Sequence, residues 1–496
     1  MFYFDIHKLF QQFVYNPAEP LIFNSGFFLF LFTGFLWIYA SLSHRHRAKL
    51  TFVTLFSLYF YYKSSGGYFV LLIFATVIDF TLARLIYEAK EKWKKKLFIT
   101  LTLIINLGLL GYFKYTNFLY ESFFWNSAEG FQPLDIFLPV GVSFFTFQSL
   151  SYTIDIYRGD LKPVENILDY AFFVSFFPQL VAGPIVRASD FLPQIHKPTI
   201  VTKQMFGRAV FLIGCGLFKK AVISDYISIN FVDRIFDAPA LYSGIENLFA
   251  VYGYALQIYC DFSGYSDMAI GIALLLGFHF PLNFDSPYQS RNISEFWRRW
   301  HISLSTWLRD YLYISLGGNR QSKWRTYINQ MLTMVLGGLW HGASWRFIIW
   351  GALHGAALTV HKLFSGWTAT QEPEVSALQR KISNGINVFI TFHFVCFCWI
   401  FFRAPSMGVA EDILRQILYH LNPQIIFEFI AGYQGVMFLM LIGYVMHFVP
   451  RKIEFAFQER ITEMSLAYKA AFMLLIIVIV IQTKSAGIQP FIYFQF

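Results

Sequence analysis

Repeated apolar runs of about 20 residues constrain this chain more than any other feature, because that is the length a helix needs to cross the hydrocarbon core of a bilayer. No water is present there to satisfy backbone amides and carbonyls, so each run must close its own hydrogen bonds as a helix. The first run covers residues 21–42 and ends at the basic cluster His44-Arg45-His46-Arg47-Ala48-Lys49. A second, 50–62, reaches the turn Ser64-Ser65-Gly66-Gly67, and a third, 68–87, returns to the basic stretch 90–96. Further spans are expected at 97–119, 136–156, 167–186, 206–223 and 248–280, the last long enough for two broken helices, and then at 386–402, 425–449 and 466–483. The sum is about ten to twelve passes. The positive-inside rule places the basic loops at 44–49, 90–96 and Arg451-Lys452 in the cytoplasm and both termini outside. Residues 1–8 lack the pattern of a cleavable signal peptide, and the polar stretch 368–381 reads as a cytoplasmic loop.

Composition decides between this reading and its competitors. Hydrophobic residues make up 56% of the chain, charged residues only 14%, and mean hydropathy is +0.48, more apolar than one soluble core requires. A net charge of +9 would suit nucleic acid in a solvated protein, but here it is read as membrane orientation, with the lipid bilayer as partner and no nucleic acid. Cys215, Cys260, Cys396 and Cys398 all lie in apolar segments without a second metal-type pair, so they are expected in the core and no metal site is expected. The expected fold class is an all-α integral membrane protein: a polytopic helical bundle forming one domain over residues 1–496.

Residues 281–362 do not parse into simple spans, and irregular backbone at membrane depth is tolerated only where it is buried or lines a cavity. Between Arg291 and Arg325 stand seven arginines and lysines against two acids, Glu295 and Asp310. The charges read either as a positive-inside loop or as an anion-attracting face. Phe296, Trp297, Trp300, Trp307, Tyr311 and Tyr313 are interleaved at helical spacing, as in an amphipathic helix at the membrane surface, which favours a roof over a pocket for a phosphate-bearing donor. His301 lies in this expected helix. Forty residues on, Gly337-Gly338-Leu339-Trp340-His341-Gly342-Ala343-Ser344-Trp345 sets an imidazole among glycines and tryptophans. A charged imidazolium would be costly there, so the ring is expected to be neutral and able to accept a proton. The three glycines around it suit a substrate channel better than a packed helix. Each histidine also has a plain reading as a hydrogen-bonded structural residue. The chemistry this implies is acyl transfer, with His341 taking a proton from a hydroxyl that attacks a thioester, and backbone amides near Gly342 or His301 receiving the oxyanion. Ser303, Ser305 and Ser344 lie near the histidines, but none is a compelling nucleophile.

The run from Phe296 through Trp300-His301 to Trp307-Leu308-Arg309-Asp310-Tyr311 resembles the signature of membrane-bound O-acyltransferases, and Gly338-Leu339-Trp340-His341-Gly342 resembles that family's histidine motif. Residues 138–148, Asp261–Gly271 and the terminal Pro490–Phe496 resemble its bacterial branch, which serves alginate O-acetylation, peptidoglycan O-acetylation and teichoic acid D-alanylation. The resemblance implies broken or re-entrant helices around a central funnel in the bacterial inner membrane, with His341 and His301 as the catalytic pair. It also implies acetyl-CoA as donor substrate, no permanently bound cofactor, and a separate periplasmic or surface transferase of the serine-hydrolase-like (SGNH) kind that passes the acetyl group to a polysaccharide. Arg298, Arg299 and Arg309 are the expected donor-binding residues. Asp261, Asp267, Asp310 and Trp340 are expected to support the site, although the two aspartates of the 261–267 motif read equally as paired structural groups. The leading expectation is an acetyltransferase feeding an exopolysaccharide such as alginate. Its alternatives are a D-alanyl transferase using a carrier-protein donor, and a non-catalytic transporter.

Overall fold

The computed structural model describes residues 6–17, 19–124, 132–368 and 376–483, which form helices, turns and connecting segments with no strand among them. Residues 490–496, and half of the expected loop at 368–381, lie outside the described residues, and 377–381 are not loop but the first turn of the helix Ala377–Arg403. Among the described residues, five helical stretches are long and apolar enough to cross a membrane: His46–Glu88, Lys92–Phe123, Trp345–Phe364, Ala377–Arg403 and Leu466–Thr483. A sixth is broken, Pro423–Gly432 and Gln434–Phe448 being bent by 97°, and Gly26–Ser41 is a shorter apolar helix. The chain resolves into two compact units, one of Met1–Ala209 with Met268–Pro281, the other dominated by Val210–Asp267 and Leu282–Gly487.

In the first unit the apolar sequence becomes an aromatic core. Phe172, Phe176, Phe191 and Phe278 pack with ring centroids 5.0–5.8 Å apart, and Phe177 meets Phe35, Phe56 and Phe60. The run expected as one span over 167–186 is broken after Ile167–Ser175. Phe176 leaves the helical conformation, Pro178 follows at the start of the next short helix, and the Phe177 amide donates to Ser57 Oγ instead of continuing the ladder. Buried polar groups are tied to one another: Asn106 Nδ2 donates to Asp79 Oδ1 at 2.8 Å between the helices Lys92–Leu110 and Phe69–Glu88.

Three expectations change in the second unit and the helix that enters it. Residues 248–280 hold not two broken helices but one continuous helix, Gly244–Leu275, with no proline to interrupt it. The amphipathic helix expected across 291–313 is divided into Ile293–Arg299, Ile302–Trp307 and a wider-wound segment, Leu308–Tyr313. His301 is not inside a helix; it caps the second piece with φ 43° and ψ 56°. Two glycines of the histidine motif lie inside a helix and not in an irregular segment, since Lys323–His341 runs unbroken through Gly337 and Gly338. They admit a neighbouring backbone: a Cβ on Gly338 would collide with the Phe347 carbonyl oxygen, one on Gly351 with that of Met334, and one on Gly355 would stand 2.8 Å from Met331 Sδ. Small residues one helical turn apart let Lys323–His341 and Trp345–Thr368 approach closely, the usual means of helix association where lipid supplies no hydrophobic drive.

Candidate active site

His301 and His341 come together in one aromatic cluster of the second unit. Trp340 is their common neighbour, its ring 6.4 Å from His301 and 5.0 Å from His341 by centroids. Phe262 and Phe284 pack on His301 at 4.5 and 6.1 Å, while Trp350 and Phe402 pack on His341 at 5.1 and 5.2 Å. Both imidazoles are buried. Helix packing explains the position of His341: the last residue of Lys323–His341, it is carried into the cluster by the glycine-mediated approach of the next helix.

Hydrogen bonding explains the position of His301. The chain segment 283–285 lies against 299–302, the Asp285 amide donating to the Arg299 carbonyl and the Ile302 amide to the Asn283 carbonyl. Asn283 Oδ1 accepts from the Ser303 amide at 3.2 Å and the Ser303 hydroxyl at 2.8 Å, and stands 3.2 Å from His301 Nδ1. These bonds over-determine a left-handed backbone that a histidine adopts only at some cost. His301 Nε2 is buried without a hydrogen-bond partner, and burial pushes the pKa of the ring down to about 3. The imidazole is therefore neutral at physiological pH. The amides of Ile302 and Ser303 are already donated, so they are not the oxyanion donors expected near His301.

The remaining expected site residues divide by surroundings. Trp340 lies inside the cluster. Asp261 pairs with Lys220 at 2.7 Å and Asp267 with Lys219 at 2.8 Å, the structural reading of that motif. Glu295 accepts from Arg299 at 2.7 Å and from Arg291 at 3.0 Å; burial opposes its ionisation, but these hydrogen bonds and charges hold its pKa below the usual range. Arg309 pairs with Asp310 at the surface, and Arg298 is exposed. The aromatic residues that mimic a surface helix face inward: Phe296, Trp300, Trp307 and Tyr311 are all buried. Ser303 and Ser305 spend their hydroxyls on Asn283 Oδ1 and the Trp300 carbonyl, which suits turn-making better than nucleophilic attack. Reasoning from sequence missed Asn283, whose only signal is a polar residue between Pro281 and Pro287, and His354. The latter is fully buried against Trp297 and Trp350, with ring centroids 5.2 and 4.8 Å away, and neither ring nitrogen has a hydrogen-bond partner. Among the described residues no cluster of histidine, cysteine or carboxylate side chains could hold a metal ion.

Comparison with known proteins identifies the family. Residues 160–402, which include both histidines, match the family model of the membrane-bound O-acyltransferases. A peptidoglycan O-acetyltransferase of Helicobacter pylori is 39% identical over 427 residues, 80% of this chain and 79% of that protein. A probable alginate O-acetylase AlgI of Pseudomonas aeruginosa is 42% identical over 406 residues, 79% and 73% of the two chains. A teichoic acid D-alanyltransferase of Bacillus subtilis is 31% identical over 276 residues, 53% and 68%. With apolar helices of spanning length, two buried histidines sharing one tryptophan and relatives matched over most of their length, this chain belongs to the membrane-bound O-acyltransferase family and is an acyltransferase.

Proposed function

We propose that the protein takes an acetyl group from acetyl-CoA on the cytoplasmic side of a bacterial inner membrane and passes it across toward O-acetylation of an extracytoplasmic polysaccharide. The observation that carries this reading is the pair of buried histidines about Trp340, in a chain whose relatives include an alginate O-acetylase and a peptidoglycan O-acetyltransferase. His341 acts as general base. It takes the proton of the acceptor hydroxyl as that oxygen attacks the thioester carbonyl, the new C–O bond forms, the C–S bond breaks, and the proton ends on the departing thiol. His301 contributes the Nε2 lone pair as a hydrogen-bond acceptor that orients the bound substrate through a donor group other than the reacting hydroxyl, whose one proton goes to His341. A low-dielectric setting favours both roles, since it keeps the imidazoles neutral and excludes competing water.

Arg298 is the solvent-facing cation best suited to the donor's phosphates, with Arg299 and Arg309 beside it in ion pairs that a more highly charged phosphate could displace. An SGNH-type transferase outside the membrane is the expected acceptor of the group, and the positive-inside pattern supports termini on that same side. The deciding experiment follows label from acetyl-CoA with purified protein in lipid, comparing wild type with His341→Ala. Turnover that depends on His341 supports the proposal. Turnover with an acyl-loaded carrier protein but none with acetyl-CoA would overturn the choice of donor.

A further inference from the structure

The site as described assigns work to the Nε2 lone pair of His301, yet a neutral imidazole has two tautomers and only one exposes that lone pair. Asn283 decides between them. Its side-chain amide could be placed either way round, but the Ser303 backbone amide, 3.2 Å away, can only donate, so the atom facing it is the oxygen. That same oxygen faces His301 Nδ1 at 3.2 Å and can only accept, and the other group near Nδ1, the Ser303 hydroxyl at 3.5 Å, already donates its proton to Asn283 Oδ1 at 2.8 Å, so the geometry puts the ring proton on Nδ1. The other end of the amide is fixed as well, Asn283 Nδ2 donating to Ser266 Oγ at 3.1 Å. Asn283 is fully buried, and its main-chain carbonyl accepts from the amide of Ile302, so one residue holds both the left-handed turn at His301 and its ring.

We propose that Asn283 is a positioning residue for acyl transfer: it locks His301 in the Nδ1-protonated tautomer, leaving Nε2 as a bare acceptor for a donor group of the bound substrate beside the hydroxyl that His341 deprotonates. This rests on the reading of His301 as part of the reacting pair. The rings packed on His301, those of Phe262, Phe284 and Trp340, carry no charge. The charged groups and imidazoles within two residues of those rings or of His301 are Asp261, paired with Lys220; Asp285, paired with Arg451; Arg299, paired with Glu295; and His341. The amide of Asn283, being neutral, fixes the tautomer while stabilising the imidazolium far less than a carboxylate in its place would.

Steady-state kinetics in lipid with acetyl-CoA, on the single variants and on a double-mutant cycle, test this. Asn283→Ala should lower kcat about tenfold or more with the donor KM within about threefold, and should cost nothing further in a His301→Asn background, where there is no tautomer to set. Asn283→Asp keeps the acceptor atoms but puts a carboxylate beside the ring, so the acidic limb of the pH–rate profile should move to higher pH by about one unit or more. An equal fractional loss in the His301→Asn background would reduce Asn283 to a purely structural residue and overturn the proposal. So would unchanged kcat in Asn283→Ala or, should that variant not fold, an unmoved acidic limb in Asn283→Asp. Full activity of His301→Asn alone would instead overturn the assignment of His301, a result visible without any Asn283 variant.

Discussion

Two aromatic clusters of this molecule are built from the same material and do different work. In the first unit Phe172, Phe176, Phe191 and Phe278 pack ring on ring. In the second, Phe262, Phe284, Trp340, Trp350 and Phe402 pack just as closely, but around two imidazoles. Rings alone supply dispersion and exclude water. An imidazole among them adds a lone pair whose proton affinity is governed by burial and by the one or two groups that hydrogen-bond it. The contrast teaches that the site is a hydrophobic core given two polar atoms rather than a polar cleft cut into the protein.

The sharpest way to break the comparison is to exchange its costs. His341→Ala should lower kcat by about 10²–10⁴-fold while leaving the thermal transition nearly in place, whereas Phe176→Ala should cost about 3 kcal/mol of stability and leave kcat of the folded fraction close to wild type. Parallel turnover and thermal-unfolding measurements on the two variants check this, and equal effects on both quantities in either variant would end the distinction. Next in size, Gly338→Ala places a methyl group against the Phe347 carbonyl and should destabilise by about 1–3 kcal/mol, read as a lower melting temperature, because neither backbone can withdraw. Replacing Arg298 and Arg299 by Gln should raise the donor KM several-fold, and the difference from wild type should shrink as salt is added. A KM unaltered at low ionic strength would remove the phosphate-binding role.

The smallest effect concerns pH. The unfolded chain protonates His301 as pH falls through 6.5, but the folded protein does not until about 3. The stability this histidine contributes is therefore fully present above 6.5 and is lost progressively as pH falls toward 3. One pH unit below 6.5 the loss is about 1 kcal/mol. His301→Asn should flatten the decline of melting temperature with acidification over that window, and an identical decline would mean that His301 is not held neutral.

Much of this was legible from residues alone. Leu466–Thr483 forms as one helix at the bounds that its apolar run implied, and the helix Ala377–Arg403 contains the span expected at 386–402. His341 stood out because a titratable ring within an apolar stretch is costly unless it is used. Expectation failed where one-dimensional periodicity met a backbone interaction between distant segments. The aromatic spacing of 291–313 has helical period, yet the helix breaks at His301, because the segment 283–285 offers carbonyl acceptors that only the fold brings within reach. The glycines of the histidine motif were visible, but whether they faced a channel or a neighbouring helix depended on Phe347 and Gly351, placed by the turn that follows.

By itself, then, the sequence determined the solvent and the helical class, which follow from residue type and from run length against bilayer thickness, while the family and the two candidate histidines came from the resemblance of its motifs. Only the tertiary structure decided that Trp340 packs against both His301 and His341, that the Asn283 side chain meets the ring of His301, and that Asp261 and Asp267 belong to ion pairs. The physical reason is that a hydrogen bond or a ring contact depends on distances between atoms far apart in the chain, and no composition or spacing along one segment encodes those distances.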